Sequence, residues 1–443
     1  MTSNKVAYAL SIGSELEEYR SEIEYVFDFV DEYYDTVRKE ESTNVIYYGY
    51  RNLVDSSKSA IFSSKFWSLI DISSSGLYLN KDNNKKLEDC ILPYIENRHD
   101  MLDFDYISII FFFLSRVEER DVVNIDKYSR FKSEDSFSVK HGFEKRAVVD
   151  ECSLELAKII RSEECPRHNS VFEFIPTHDI DRLKGYHYPL EPLRYFLGDL
   201  IKRHKSFNKS FDRIRSSYLS GEPWRQVYFF MNLAEKYNLT ARFFFMGPSV
   251  NTMDSPYVIR YKKLLIKVVN KIKSRKHVVG FHPGYETFDN NKKWKSQKNG
   301  LESAIDSKVD VGRQHVLRYS ASVTPKIWSD NNMKVDYTLA YPELIGFRSG
   351  TSREYNSYDL VNRKKLKLRQ VNTLMMDTGI FGGKYQDMDL QLAVDETLDA
   401  INTCKKYGGK AVILIHPACI SNIEMEYYEK VVKKMQLAPA TGI

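Results

Sequence analysis

Cysteine is scarce and scattered in this chain: Cys90, Cys152, Cys165, Cys404 and Cys419 are all that 443 residues contain. An odd, dispersed set with no Cys-x-x-Cys pair excludes a dense disulfide framework and points to a reducing compartment. Long hydrophobic runs are also missing. The most apolar stretch, Ile107-Ser-Ile-Ile-Phe-Phe-Phe-Leu114, is far shorter than the roughly 20 residues that span a bilayer. The start, Met1-Thr-Ser-Asn-Lys-Val-Ala-Tyr-Ala-Leu10, lacks the apolar core of a signal peptide, so a cytosolic (cytoplasmic) location is expected. Charge of one sign is not in large excess, the net being +5. The basic runs Arg363–Arg369 and Lys271–Lys276 come without any nucleic-acid reading motif. They are expected to be solvated helix faces or turns, and nucleic acid is not an expected partner. No repeat or low-complexity tract is visible.

What is present is material for a large core. The length allows two or three domains, and 30 tyrosines and 25 phenylalanines suit packed interiors and a sugar-binding cleft. Residues 1–165 read as an independent, smaller α+β unit. In it Glu15–Glu41 is acidic and aromatic, Val45–Tyr50 and Gly76–Leu79 are strand-like, and Tyr106–Val117 has the spacing of a buried helix. The polar stretch Glu163–Asn169, with its proline, is the expected boundary. Residues 166–443 alternate strand and helix. Expected strands are Phe172–Pro176, Ala241–Met246, His277–His282, one within Val309–Arg318, Val335–Leu339, Lys365–Leu374 and Ala411–His416. Helices are expected over Trp224–Tyr237, Ser255–Lys276 and Gln297–Asp306. Such alternation predicts a parallel sheet closed as a barrel. The insertion Arg182–Pro223, basic and aromatic, reads as a lid over the cleft or as an arm packed on the N-terminal unit. Its histidines, His187 and His204, carry no pattern.

The chemistry concentrates at strand ends. Ile175-Pro-Thr-His-Asp-Ile-Asp181 delivers Asp179 and Asp181 to the rim of a sheet, with His178 beside them. Two carboxylates so placed can divide their labour, one holding a metal and the other taking a proton from water. Val278-Val-Gly-Phe-His282-Pro and Val412-Ile-Leu-Ile-His416-Pro end in histidine in the same way. Three apolar strands bringing Asp and His to their C-terminal ends have the pattern of an α/β-barrel active-site face. Any one of these alone would read as a cap or a turn; together they read as a site.

In order and spacing, Thr177–Asp181, Ala241–Met246, Gly280-Phe-His-Pro283 and Leu414-Ile-His-Pro417 resemble the motifs of the polysaccharide deacetylases, carbohydrate esterase family four. Arg313-Gln-His315, Gly346-Phe-Arg-Ser-Gly350 and Met376-Asp377 resemble those of one branch of that family. Phe111–Glu119 and Val149-Asp150 resemble the branch's extra N-terminal domain. The resemblance implies a distorted (β/α) barrel of about seven strands, and metal-assisted removal of an acetyl group from a sugar. It implies an acetylated sugar or glycan precursor as substrate, in surface-polysaccharide biosynthesis, and a divalent metal ion, most often Zn2+. By position, Asp179 resembles the general base, His416 the general acid, and Asp181 and His282 two metal ligands.

The chain departs from the family at one place. Where a second histidine is usual, four residues after His282, Glu286 stands. Either Glu286 replaces that ligand or His315 arrives from the next strand; His315 is the favoured choice. A site with only two ligands would bind metal poorly. Arg313 or Arg348 is expected to pair with Asp179 and keep it ionised. Asp377 is expected to orient His416. The rival readings are a non-catalytic barrel that binds glycan or a partner, and a hydrolase of cyclic ureides or imides.

Overall fold

The computed structural model describes residues 5–50, 59–80, 84–95, 104–122, 124–185, 193, 196–197, 201, 222–381, 387–418 and 421–437. Most of the Arg182–Pro223 insertion falls outside these, as do His187, His204 and Cys419. The described cysteines are free thiols. No helix among the described residues is long and apolar enough to cross a membrane.

The N-terminal part holds a four-stranded parallel sheet in the order β2 (Thr36–Arg38), β1 (Val6–Ile12), β3 (Val45–Gly49) and β4 (Ser59–Phe62). A hairpin of β5 (Ile70–Ser73) and β6 (Gly76–Leu79) follows. The Tyr106–Ser115 helix is buried along its whole length, because Ile107–Leu114 is apolar on every face.

The larger sheet has nine strands: β7 (Glu173–Ile180), β8 (Arg242–Met246), β9 (Val278–His282), β10 (Val311–Gly312), β11 (Val335–Asp336), β12 (Tyr355–Asp359), β13 (Lys364–Gln370), β14 (Thr373–Met376) and β15 (Lys410–Leu414). Their order is β12-β13-β11-β10-β9-β8-β7-β15-β14, and all but β12 run parallel. The two sides of the sheet are linked through the chain itself. β13 pairs with β11, and only two residues later β14 pairs with β15. Thr373 N donates back to Leu339 O at 2.8 Å across this join. One continuous run, β13 to β14, thus serves both sides of the sheet, which curls into a half-barrel with β12 as an outer flank.

Period-two alternation sorts every barrel strand into inside and outside. On β7, Ile175 packs in the barrel interior with Phe244, Tyr337, Val371 and Val412. Phe174 and Ile180 instead join the core between sheet and helices. Gly280 is needed on β9, since a Cβ there would lie 2.6 Å from the Phe244 ring. Because the strands are parallel, their C-terminal ends gather on one rim.

Several expected elements are shorter or different in kind. The strand foreseen within Val309–Arg318 is only Val311–Gly312, followed by a single 3-10 turn at His315–Leu317. The helix foreseen over Ser255–Lys276 is broken into Tyr257–Arg260 and Lys262–Ser274. The basic run Arg363–Arg369 is not a helix face: Arg363 ends the turn before β13, and Lys364–Arg369 lie in β13, with Leu366 and Leu368 buried among the cations. Those cations meet acids of the Arg20–Tyr33 helix: Arg363 pairs with Glu22, Lys365 with Asp28 and Arg369 with Glu32.

The N-terminal part and the barrel are fastened by buried charge as well. Glu119 lies between two arginines, Arg116 at 2.6 Å and Arg348 at 2.7 Å, all three almost fully enclosed. Asp150 accepts from the Thr351 and Ser352 hydroxyls, both at 2.5 Å, and from Ser352 N at 2.8 Å. Their apolar surroundings are shared, as one buried cluster contains Ile107 and Phe111 together with Tyr319, Tyr355, Tyr358 and Leu360. Burial raises the Glu119 carboxyl, but the Arg348 and Arg116 charges outweigh it and hold it down to about 2. A depressed carboxylate adds stability above its unfolded value of about 4.3, which is lost as pH falls toward the folded one. Glu119→Ala would leave the buried Arg348 guanidinium without its acid, while Arg116 keeps Glu118 at 2.6 Å, and a loss of about 3–5 kcal/mol is expected in urea unfolding. The same variant should lose stability less steeply than the parent between pH 4.5 and about 2.

Candidate active site

On β7 the alternation that buries Ile175 also turns Thr177 and Asp179 inward, with Asp181 just past the strand end. Outward residues alternate with them. His178 stacks on Phe230 and Phe243, at 4.0 and 5.0 Å between ring centroids, and its Nδ1 meets Ile415 O at 3.1 Å. Burial holds this ring neutral, its pKa down to about 3. His178 is therefore a packing residue, although the sequence sets it between the two acids.

Three imidazoles and two carboxylates meet at the C-terminal rim. His282 Nε2 lies 3.3 Å from Asp181 Oδ1 and 3.8 Å from Asp179 Oδ2. His315 Nε2 is 3.9 Å from Asp181 Oδ1, and His416 Nε2 is 3.9 Å from Asp181 Oδ2. Each ring is fixed through its other nitrogen. His282 Nδ1 donates to Arg313 O at 2.6 Å, His315 Nδ1 to Asp254 Oδ1 at 2.8 Å, and His416 Nδ1 to Asp377 Oδ1 at 2.6 Å. With Nδ1 committed as donor, each Nε2 presents a lone pair toward Asp181 in the neutral ring.

This arrangement fits a divalent cation. One ligand atom each from Asp181, His282 and His315 all lie within 4.8 Å of one another. Asp181 Oδ1 and His282 Nε2 are buried and have no hydrogen-bond partner, a cost that a bound cation would relieve. Burial would raise the Asp181 carboxyl, but the adjacent His282 ring and the charges of His416 and His315 hold it far below the ordinary range. Burial alone would lower His282, and the Asp179 and Asp181 charges reverse this and raise it. Glu286 is outside the cluster: it is exposed and paired with Lys293 at 2.6 Å.

The two arginines proposed for Asp179 separate clearly. Arg313 Nη1 donates to Asp179 Oδ1 at 2.8 Å. Its Nη2 reaches the Thr177 and Thr373 hydroxyls at 2.8 and 2.9 Å, and its Nε reaches Tyr337 O at 3.0 Å. Arg348 does not join the site. Its motif, Gly346–Gly350, is the seat of the N-terminal part, with Phe347 N bonded to Glu144 O and Gly350 O to Val149 N. The expected substrate or orienting role of Arg348 is corrected to a structural one, because Glu119 consumes its guanidinium.

Asp254 is the residue that sequence reasoning missed. It lies in the loop after β8, where Ser249 Oγ and Tyr285 N also donate to it, at 2.7 and 2.8 Å. Burial would raise its carboxyl, but the hydrogen bond from His315 lowers it. The available signal was its place in a loop at the C-terminal end of a barrel strand. The turn carrying His315 is unusual, since Val316 and Leu317 have φ of 60° and 56°. Non-glycine residues in that region cost roughly 1–2 kcal/mol each.

A family model described as a family of unknown function (DUF7033) matches residues 13–164. No curated protein matches the chain significantly. Among solved structures, the chain is similar to a candidate polysaccharide deacetylase from Mycobacterium smegmatis. The identity is 13% and the TM-score 0.37, over 61% of this chain and 86% of that one. It is similar to a polysaccharide deacetylase from Bacillus cereus at 12% identity and TM-score 0.29, over 61% and 88% of the two chains. A CE4 family pseudoenzyme from Bacillus anthracis gives 12% and 0.29, over 60% of each. Likenesses at this level carry no statement about activity.

Burial would lower the His416 pKa, but the Asp377 charge and hydrogen bond, with Asp181 and Asp179 behind them, push it up to about 10. A histidine raised on folding adds stability that is full below its unfolded value of about 6.5 and is lost as pH rises through the folded one. In the metal-free protein, stability to urea should therefore fall between pH 7 and about 10. Asp377→Asn should flatten that slope. A variant with the parent's full slope would remove Asp377 as its cause.

Proposed function

We propose that the chain is a metal-dependent hydrolase that removes an acetyl group from an acetamido sugar in a precursor of a surface polysaccharide. The observation that carries this reading is the convergence of the His282 and His315 Nε2 atoms on Asp181, each ring locked by an acceptor on Nδ1. Asp181, His282 and His315 would hold the cation, a mixed carboxylate–imidazole set that suits Zn2+ with open positions. When bound, such a cation polarises the acyl carbonyl and lowers the pKa of water toward about 7.

The chain's own groups supply the proton transfers. Asp179, held by Arg313, is the base that accepts a proton as water attacks the acetyl carbon. Arg313 keeps the carboxylate oriented. His416, protonated and steered by Asp377, donates to the departing sugar amine. The described cysteines, all free thiols, support a cytosolic setting, which favours a nucleotide-linked or lipid-linked sugar over a finished polymer.

The test pairs metal content with turnover. About one metal per chain by elemental mass spectrometry is expected, lost in His315→Ala and retained in Glu286→Ala. Asp179→Asn should lower acetate release from acetamido sugars by at least about 100-fold, the usual contribution of a general base, while keeping the metal. Metal bound without acetate release, but with opening of a cyclic imide, would move the substrate class. Turnover that survives Asp179→Asn would end the assignment of the base.

A further inference from the structure

The turn that delivers His315 needs a support that the barrel supplies only in part. Val316 and Leu317 both stand in the left-handed region, at φ 60° and 56°, and a β-branched valine is a poor occupant of it. Such a turn persists only where its surroundings over-determine it. Within the barrel, His315 N donates to Pro283 O and Leu317 N to Gln314 O, both at 3.0 Å. Arg318 donates to Tyr285 O at 2.6 Å, its guanidinium packed on the Tyr285 and Phe288 rings. The carbonyl of Val316 itself is held from outside the barrel. Arg130 Nη1, from the N-terminal part, donates to it at 3.1 Å.

Arg130 is built to do this. It is 3% exposed, in a turn closed by an antiparallel bridge between Ile125 and Phe131. The Asp126 carboxylate accepts from Tyr128 N at 2.8 Å, Arg130 N at 2.9 Å and Arg130 Nε at 2.8 Å. The arginine is thus fixed at its base, with Nη1 toward the strained carbonyl.

We propose that Arg130 is a positioning residue for His315. The N-terminal segment Ile125–Phe131 braces the left-handed turn so that His315 Nε2 faces Asp181, and the cation affinity of the site depends on that brace. This rests on the reading of Asp181, His282 and His315 as a cation site. It gives the N-terminal part a share in the site without a contact to substrate.

The experiment is titration of the full-length protein with Zn2+ in competition with a chromogenic chelator. Arg130→Ala should weaken binding by about 10–100-fold, the range for residues that orient a ligand. Val316→Gly added to that variant should recover most of the loss, since glycine takes the left-handed conformation without strain. Arg161→Ala removes N-terminal hydrogen bonds to the Tyr34 and Asp35 carbonyls and none to the site. It should leave Zn2+ affinity at the parent value. If Arg130→Ala does not fold, Arg130→Lys, which can keep the charge pair with Asp126, carries the same comparison. A parent that binds Zn2+ while the Arg130 variant matches it overturns the brace alone, as does a loss that Val316→Gly does not relieve. A parent that binds no Zn2+ overturns the cation site and the brace together.

Discussion

The guanidinium of Arg313 is the interaction on which the rest of the barrel's active rim depends. It is wholly buried and reaches β7 through Thr177 and Asp179, the chain after β11 through Tyr337, and β14 through Thr373. Its own carbonyl fixes the His282 ring. A buried cation of this kind is tolerated only when it is fully paired, and removing one partner typically costs about 3–5 kcal/mol. Arg313 therefore joins two requirements in one side chain: linking the chain after β11 to β7 and β14, and holding the Asp179 side chain in place beside the histidines.

The N-terminal part is held to the barrel by a different economy. The partly exposed Lys365–Asp28 and Arg369–Glu32 pairs between the Arg20–Tyr33 helix and β13 contribute little each. The enclosed Arg116–Glu119–Arg348 cluster and the Asp150 hydrogen bonds set the register, since each fails if the two parts slide. One apolar cluster continues beneath them from the Tyr106–Ser115 helix to β12. The two halves thus share a core, and the turn bearing His315 is contacted from both.

Much of the site was legible because it is local. In Ile175–Asp181 the two acids at a strand end were visible, whereas the outward turn of His178 was not. His282 ends β9, and His416 lies just beyond the end of β15. Arg348 was misread because a motif close in sequence to site motifs need not be close in space. Glu119, more than two hundred residues away along the chain, claims it. The acidic Arg20–Tyr33 helix and the basic run Arg363–Arg369 were each visible, but their pairing was not. Asp254 left almost no trace, because a lone acid in a loop has no periodicity to announce it.

The sequence by itself determined the strand–helix alternation and the supply of Asp and His to one rim. These follow from backbone periods of two and 3.6 residues, which are properties of neighbouring residues. Only the tertiary structure decided the partner of Asp179, and that His315 rather than Glu286 stands beside Asp181 and His282. It also decided the curl of the sheet, with β13 and β14 as one run serving both sides. Those outcomes depend on register between strands and on which buried charge reaches which partner, and residues far apart in the chain set both.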